Sequence, residues 1–144
     1  MIDRPSENIK RSLVAHAQHI FGKKPVLFAY LYGSFATGIV HPFSDLDVGI
    51  FVGNISSTKY LELELFLSLE IDEKMDSCVA SEVRIINDLP LVIKGEIITN
   101  GLLIFSKNEV ARIDFETSIR SAYFDFLPVL YNYRNAYLSR FTSI

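Results

Sequence analysis

Between Leu31 and Val52 the chain reads LYGSFATGIVHPFSDLDVGIFV, and this stretch constrains everything around it. Two carboxylates, Asp45 and Asp47, open an apolar run, and ten residues separate them from a Gly-Ser pair at Gly33 and Ser34. Aspartate is depleted in strands, so two of them at the start of one call for a reason. Upstream, Val26 to Tyr32 (VLFAYLY) is a short continuous run that reads as a strand buried on both faces. Leu46 to Val52 reads as the next strand, closed by the turn residues Gly53 and Asn54. Because side chains alternate along a strand, Asp45 and Asp47 project from one face while Leu46, Val48 and Ile50 go to the other. The two carboxylates are thereby aimed at one point.

Each residue type in this stretch suits a specific chemistry. Gly33 lets the backbone approach a ligand closely, Ser34 adds a hydroxyl, and the amides opening a following short helix can bind phosphate oxygens. Converging hard oxygen ligands with open positions are what Mg2+ requires when it also binds substrate phosphates. A two-metal site needs one more carboxylate on a neighbouring strand. Glu82 is the candidate, since it begins the run Glu82 to Ile86 and shares a face with Arg84 and Ile86; Asp76 and Asp88 compete with it. The plainer readings are that Ser34 caps a short helix, that Glu82 is an exposed strand-end carboxylate, and that His41 is an ordinary loop residue near the site.

The remaining chain supplies a frame. Apolar residues at Ile9, Leu13, Val14, Ala17, Ile20 and Phe21 predict an amphipathic helix from Ser6 to Phe21, with Ser6 as its cap and Gly22 as its stop. A second helix, capped by Ser56 or Ser57, runs to about Lys74, with Tyr60, Leu61, Leu63, Leu65, Phe66, Leu69 and Ile71 as its apolar face and Glu62, Glu64, Glu70 and Asp72 as its solvated side. After the third strand and a turn at Asn87 to Pro90, a short helix is expected over Leu91 to Ile98. A turn at Asn100 and Gly101 and a brief edge strand over Leu102 to Phe105 follow it. The last helix, Asn108 to Arg140, should break or kink at Pro128. Its aromatic inner face, Phe115, Tyr123, Phe124, Phe126, Tyr131, Tyr133 and Tyr137, should be mostly packed. The whole predicts one mixed α/β domain over residues 1–144, a sheet of three or four strands with helices mainly on one face, and 108–140 as a C-terminal aromatic helical segment.

Composition removes several function classes. A formal charge of −3 lacks the basic excess of a protein that grips long nucleic acid. No apolar run approaches the ~20 residues of a membrane span, and the N-terminal MIDRPSENIKRS has no apolar signal core, so a soluble cytoplasmic protein is expected. The single cysteine, Cys78, excludes an internal disulfide and reads as a small half-buried side chain. Arg11 and His16 match the spacing of an RNase motif, Arg-x4-6-His, but no His-x-Tyr follows and chance explains the match.

Gly33-Ser34, ten residues, then Asp45-x-Asp47 resembles the GS-x10-D-x-D signature of the minimal nucleotidyltransferases of the polymerase-β-like superfamily. Ser81 to Phe105 is similar to that family's segment bearing the third carboxylate, a short helix and an edge strand. Phe115 to Arg140 is similar to the C-terminal helix of the MntA antitoxins that pair with HEPN toxins. The resemblance implies that Gly33, Ser34 and Ser44 bind the nucleotide, that Asp45 and Asp47 bind two Mg2+ ions, and that Glu82 falls where a third, commonly aspartate, ligand lies. It implies ATP as substrate, a tyrosine of a cognate HEPN toxin as acceptor of AMP, a hetero-oligomer with that toxin, and the aromatic C-terminal helix as its docking surface. A nucleotidyltransferase acting on a small molecule such as an aminoglycoside, and an inactive antitoxin acting by binding alone, are the alternatives.

Overall fold

The computed structural model describes residues 5–38, 44–76 and 78–142. Its elements are α1 (Pro5–Phe21), β1 (Val26–Tyr32), the single-turn α2 (Ser34–Thr37), β2 (Leu46–Val52), α3 (Tyr60–Lys74), β3 (Ser81–Ile85), α4 (Leu91–Asn100), β4 (Leu102–Ser106) and α5 (Glu109–Thr142). Both strands beside the Gly-Ser loop have the predicted bounds. α1 includes Ser6 instead of being capped by it, and α4 runs two residues further than expected, through Asn100.

The four strands form one mixed sheet in the order β3, β2, β1, β4. β1 is antiparallel to β2 and to β4, whereas β2 and β3 are parallel. A parallel neighbour cannot follow through a tight turn, and α3 is the crossover that brings the chain back.

Alternation splits the sheet into two apolar faces. Leu46, Val48, Ile50 and Val52 of β2, with Val83 and Ile85 of β3, join Leu13, Ile20 and Phe21 of α1 and Leu67 and Ile71 of α3 in the main core. The opposite face carries a smaller cluster in which Phe28 and Tyr30 of β1 meet Ile97 of α4 and Phe115 of α5. The expectation of helices mainly on one face is therefore corrected: the main core does lie under α1 and α3, but α4 and the first half of α5 cover the other face. Phe28 and Tyr30 require it, because aromatic side chains on the second face need burial as much as the aliphatic ones opposite.

Two helices depart from their predicted faces. In α3 only Leu67 and Ile71 are fully buried, while Leu61, Leu65, Phe66 and Leu69 stay exposed. Apolar residues surround this helix, and a sheet can cover only one stripe of it. Its acidic residues are not merely solvated: Asp72 accepts from the Ser81 amide (2.9 Å) and hydroxyl (2.7 Å), and Glu64 accepts from the Ile85 amide (2.9 Å). With Ser68 donating to the Ser81 carbonyl (2.7 Å), they occupy three backbone groups on the outer edge of β3.

α5 is continuous through Pro128, so the expected break is absent. Pro128 lies on an exposed stretch, where water can satisfy the carbonyl that loses its partner. Phe115 and Tyr123 are buried, but Phe124, Tyr131, Tyr133 and Tyr137 are not. The reason is length: 34 helical residues span about 51 Å, and a strand of 7 residues about 23 Å, so the second half of the helix runs past the sheet. Cys78 is likewise exposed, not half-buried.

α4 and α5 meet at Gly95, where any Cβ would collide with the Tyr123 ring, and Tyr123 donates to Glu96 at 3.1 Å. Gly95→Ala gains up to ~1 kcal/mol of helix propensity, but an overpacked contact against a ring base costs about 1–3 kcal/mol. The substitution is expected to be net destabilising, by roughly 1–2 kcal/mol in urea unfolding.

Candidate functional site

The second apolar face ends, toward the N-terminal ends of β2 and β3, in polar side chains. Asp47 projects from β2 on the face opposite Leu46 and Val48. Its partner in the parallel register is Glu82, and its partner across the antiparallel register is Tyr32. Asp45 precedes it by two residues on the same side. Glu82, thirty-five residues further along the chain than Asp47, is thus brought to the same end of the sheet as Asp45 and Asp47.

The electrostatics reflect this crowding. Burial, then the charges of Glu82 and Asp45, push the Asp47 carboxyl above the ordinary carboxylate range, and Arg84 pulls it back. Neither Asp76, in the turn after α3 with a φ of 54°, nor Asp88, beyond the far end of β3, adds to the field at Asp47. Of the three candidates for a third carboxylate, Glu82 is the one placed beside Asp47. Among the described residues no three His, Cys, Asp or Glu side chains are already gathered at metal-ligating distance.

Gly33 reaches the same point from β1. It caps α2 with a φ of 74°, a left-handed conformation that favours glycine, and a Cβ there would collide with Asp47 Oδ2. Both facts exclude a side chain. Its carbonyl accepts from Ala36 (3.1 Å) and Thr37 (3.2 Å), and Gly38 closes the turn with its amide on Ser34 O (2.9 Å). Ser34 is the first residue of α2 and Gly33 the cap, so the reading of Ser34 as the cap is corrected. The first amides of this turn have no partner within it. Ser44 is half-buried directly before Asp45. His41 lies outside the described residues.

Three residues of the site were not singled out from the sequence. Tyr32 stands in register with Asp47, and its phenol is pushed up by burial first and the Asp47 charge second, with Arg84 opposing. Gly49 makes room for that ring: a Cβ there would lie 3.4 Å from Tyr32 Cε1 and 2.8 Å from Ile86 Cγ2. Arg84, paired with Gly49 across the β2–β3 register, is the cation that reaches both Asp47 and Tyr32. The available signals were Tyr32's position directly before Gly33, a glycine within a strand, and a cation two residues after Glu82. Elsewhere, His16 Nδ1 donates to the Ser12 carbonyl at 2.8 Å within α1, which suits the reading of its motif match as chance.

The raised Asp47 pKa has a definite consequence for stability. The folded protein holds this proton more tightly than the unfolded chain, so the wild type loses stability as pH rises from about 3.8 through the higher folded-state value. In metal-free buffer Asp47→Asn is expected to melt at a higher temperature than the wild type at neutral pH. The gap should shrink as the pH is lowered toward 3.8, as followed by circular dichroism.

The chain matches a family model described as polymerase beta, nucleotidyltransferase, over residues 16–110. No curated protein matches it. Among solved structures, a chain of the MntA-HpeT toxin-antitoxin complex in a double Asp-to-Glu variant superposes with a TM-score of 0.59 at 14% identity, over 97% of this chain and 100% of that one. A chain from the complex of the tri-AMPylated Shewanella oneidensis HEPN toxin with the MNT antitoxin gives 0.58 at 12% identity, over 96% and 99%. One from a toxin-antitoxin complex with AMP-PNP gives 0.57 at 16%, over 97% and 100%. At such identities the likeness is one of fold, and it is the family match, spanning β1 through β4 and including Gly33, Ser34, Asp45, Asp47 and Glu82, that identifies the chain as a member of the polymerase-β nucleotidyltransferase family.

Proposed function

We propose that the chain is the antitoxin of a toxin-antitoxin pair and transfers AMP from ATP, with Mg2+, to a tyrosine hydroxyl of a HEPN partner protein, silencing it. The observation that carries the reading is the parallel register that sets Glu82 beside Asp47, with Gly33 pressed against the same carboxylate. Family membership supports nucleotidyl transfer, and the fold likeness to complexes holding AMP-PNP or an AMPylated HEPN toxin supports the nucleotide and the partner.

The donor set suits magnesium. Asp45, Asp47 and Glu82 offer hard oxygens whose mutual repulsion a divalent cation relieves, and Asp47 is raised by burial first and by that repulsion second. These three residues would hold the ions, which when bound neutralise phosphate charge and lower the pKa of an acceptor hydroxyl. Gly33, Ser34 and Ser44 bind the triphosphate, the first through backbone left bare by the missing side chain. The acceptor oxygen forms a bond to the α-phosphorus as the bridge to the β-phosphate breaks, pyrophosphate leaves, and Glu82 takes up the hydroxyl proton. Most of the acceleration comes from positioning and charge, so the geometry of these few residues decides the rate.

The acceptor hydroxyl comes from the partner protein. The exposed aromatic half of α5, with Tyr131 and Tyr133 at 66% and 73% exposure, is the surface on which a HEPN partner docks to form a hetero-oligomer. No described helix is long and apolar enough to cross a membrane, and the proposed ATP-dependent work on an RNase suits a cytoplasmic pair.

Labelled ATP, Mg2+ and the protein encoded beside this chain test the proposal. The wild type should label that protein, and Asp45→Asn with Asp47→Asn should reduce labelling by at least about a hundredfold. Neutralisation without any label would replace the reading with binding alone, and label confined to a small-molecule acceptor would replace the substrate. Glu82→Gln is expected to lower kcat by about a hundredfold or more while leaving the KM for ATP within a few fold, whereas Glu82→Asp should retain activity.

A further inference from the structure

β3 is an edge strand, so the molecular surface turns around it from the α3 side to the side that carries Asp47. A groove of about 420 Å³ follows this turn, lined by Leu61, Glu64, Leu65 and Ser68 of α3 and by Glu82 and Arg84 of β3. One end holds the carboxylate that faces the acceptor hydroxyl under the proposed function. The other is apolar: Leu61, Leu65 and Leu69 are 66%, 58% and 70% exposed and recur every fourth residue, which makes one stripe about 12 Å long on the outer face of α3.

Three backbone groups at the two ends of this edge are already engaged. Asp72 takes the Ser81 amide, Glu64 takes the Ile85 amide, and Ser68 donates to the Ser81 carbonyl. A further strand would have to displace these bonds, which favours an incoming chain that binds through side chains. A straight stripe of leucines four residues apart is matched by a helix with its own apolar residues at that spacing.

We propose that the α3–β3 groove seats a helix of the acceptor protein, packing apolar side chains on Leu61 and Leu65 and thereby delivering the accepting tyrosine to Glu82. The inference rests on the proposed adenylyl transfer and adds to it the path by which the acceptor enters, separate from the aromatic half of α5. Continuity with the reaction centre is what selects this occupant. A surface that runs without interruption from Leu61 to Glu82 is covered whenever a bulky acceptor reaches the site.

The paired change Leu61→Asp with Leu65→Asp tests it, using the full chain and its proposed HEPN partner. Both side chains are exposed, so the melting temperature and ATP binding should stay at wild-type values. The KM for the HEPN protein should rise at least tenfold with kcat little changed, while Val110→Asp, at an exposed position on the first turn of α5, should have no effect. Unchanged labelling kinetics in the paired variant would overturn the groove. If the wild type transfers no AMP, the proposed function itself fails, and a photo-crosslinking residue at position 65 then decides separately: a crosslink to the bound HEPN protein supports the groove, and its absence overturns it.

Discussion

Asp47 is a carboxylate that the rest of the fold crowds from several sides. Its own strand places Asp45 two residues away, the parallel register places Glu82 beside it, Tyr32 stands across from it, and the Gly33 backbone touches it. Partial burial removes the water that would screen these charges, which is why its proton is held above the usual range. Each feature makes a demand on the chain. The contact with Gly33 forbids a side chain there, and the pairing with Glu82 requires β2 and β3 to run parallel. A parallel pair in turn requires a crossover. α3 exists in this place because two carboxylates from different strands must begin at the same end of the sheet.

Such an arrangement is unfavourable by itself and persists because the opposite face of the same strands is strongly favourable. Leu46, Val48 and Ile50 alternate with Asp45, Asp47 and Gly49 and are fully buried against α1 and α3. Each fully buried aliphatic side chain contributes about 1.5–3 kcal/mol, so three of them comfortably offset a raised carboxylate. Two-residue periodicity thus lets one strand serve the core with one face and the chemistry with the other. The second face is anchored differently: Tyr30 donates to Glu116 at 2.7 Å, Glu116 pairs with Arg112 at 3.0 Å, and Tyr123 donates to Glu96. These contacts fix the first half of α5 on the sheet, and they stop at Tyr123.

The parts of the fold that could be read in advance are those dictated by local pattern. Continuous apolar runs delimited β1 and β2, and alternation correctly separated Asp45 and Asp47 from Leu46 and Val48. Glycine and proline punctuation located the turns around β3 and β4. What local pattern could not supply is the count of covered surfaces. Leu61, Leu65 and Leu69 look like core in the sequence of α3, and Tyr131, Tyr133 and Tyr137 look like core in α5, because an apolar stripe has the same period whether it faces the sheet or a partner. Glu64 and Asp72 look solvated because the amides they accept from belong to a strand some ten to twenty residues away. Tyr32 and Arg84 escaped notice for the related reason that their proximity exists only across the β1–β2–β3 register, over the gap left by Gly49.

The misread apolar stripes bear on the mechanism proposed. A transferase that carried its acceptor pocket internally would bury its large apolar side chains around that pocket, and its surface would need few of them. Here they lie outside, on α3 beside Glu82 and on the half of α5 that extends beyond the sheet, while the end of the sheet holds charge. Exposed leucines and tyrosines cost solubility, and under the proposed function the acceptor protein covers them. The division follows from the chemistry. Triphosphate and metal need rigid backbone and fixed carboxylates, which the sheet provides, whereas an acceptor hydroxyl on another protein needs only to be brought to within bonding distance of the α-phosphorus. Under the proposed function the apolar surfaces do that positioning from outside, and the partner's own side chains complete a site of which this chain would hold the nucleotide half.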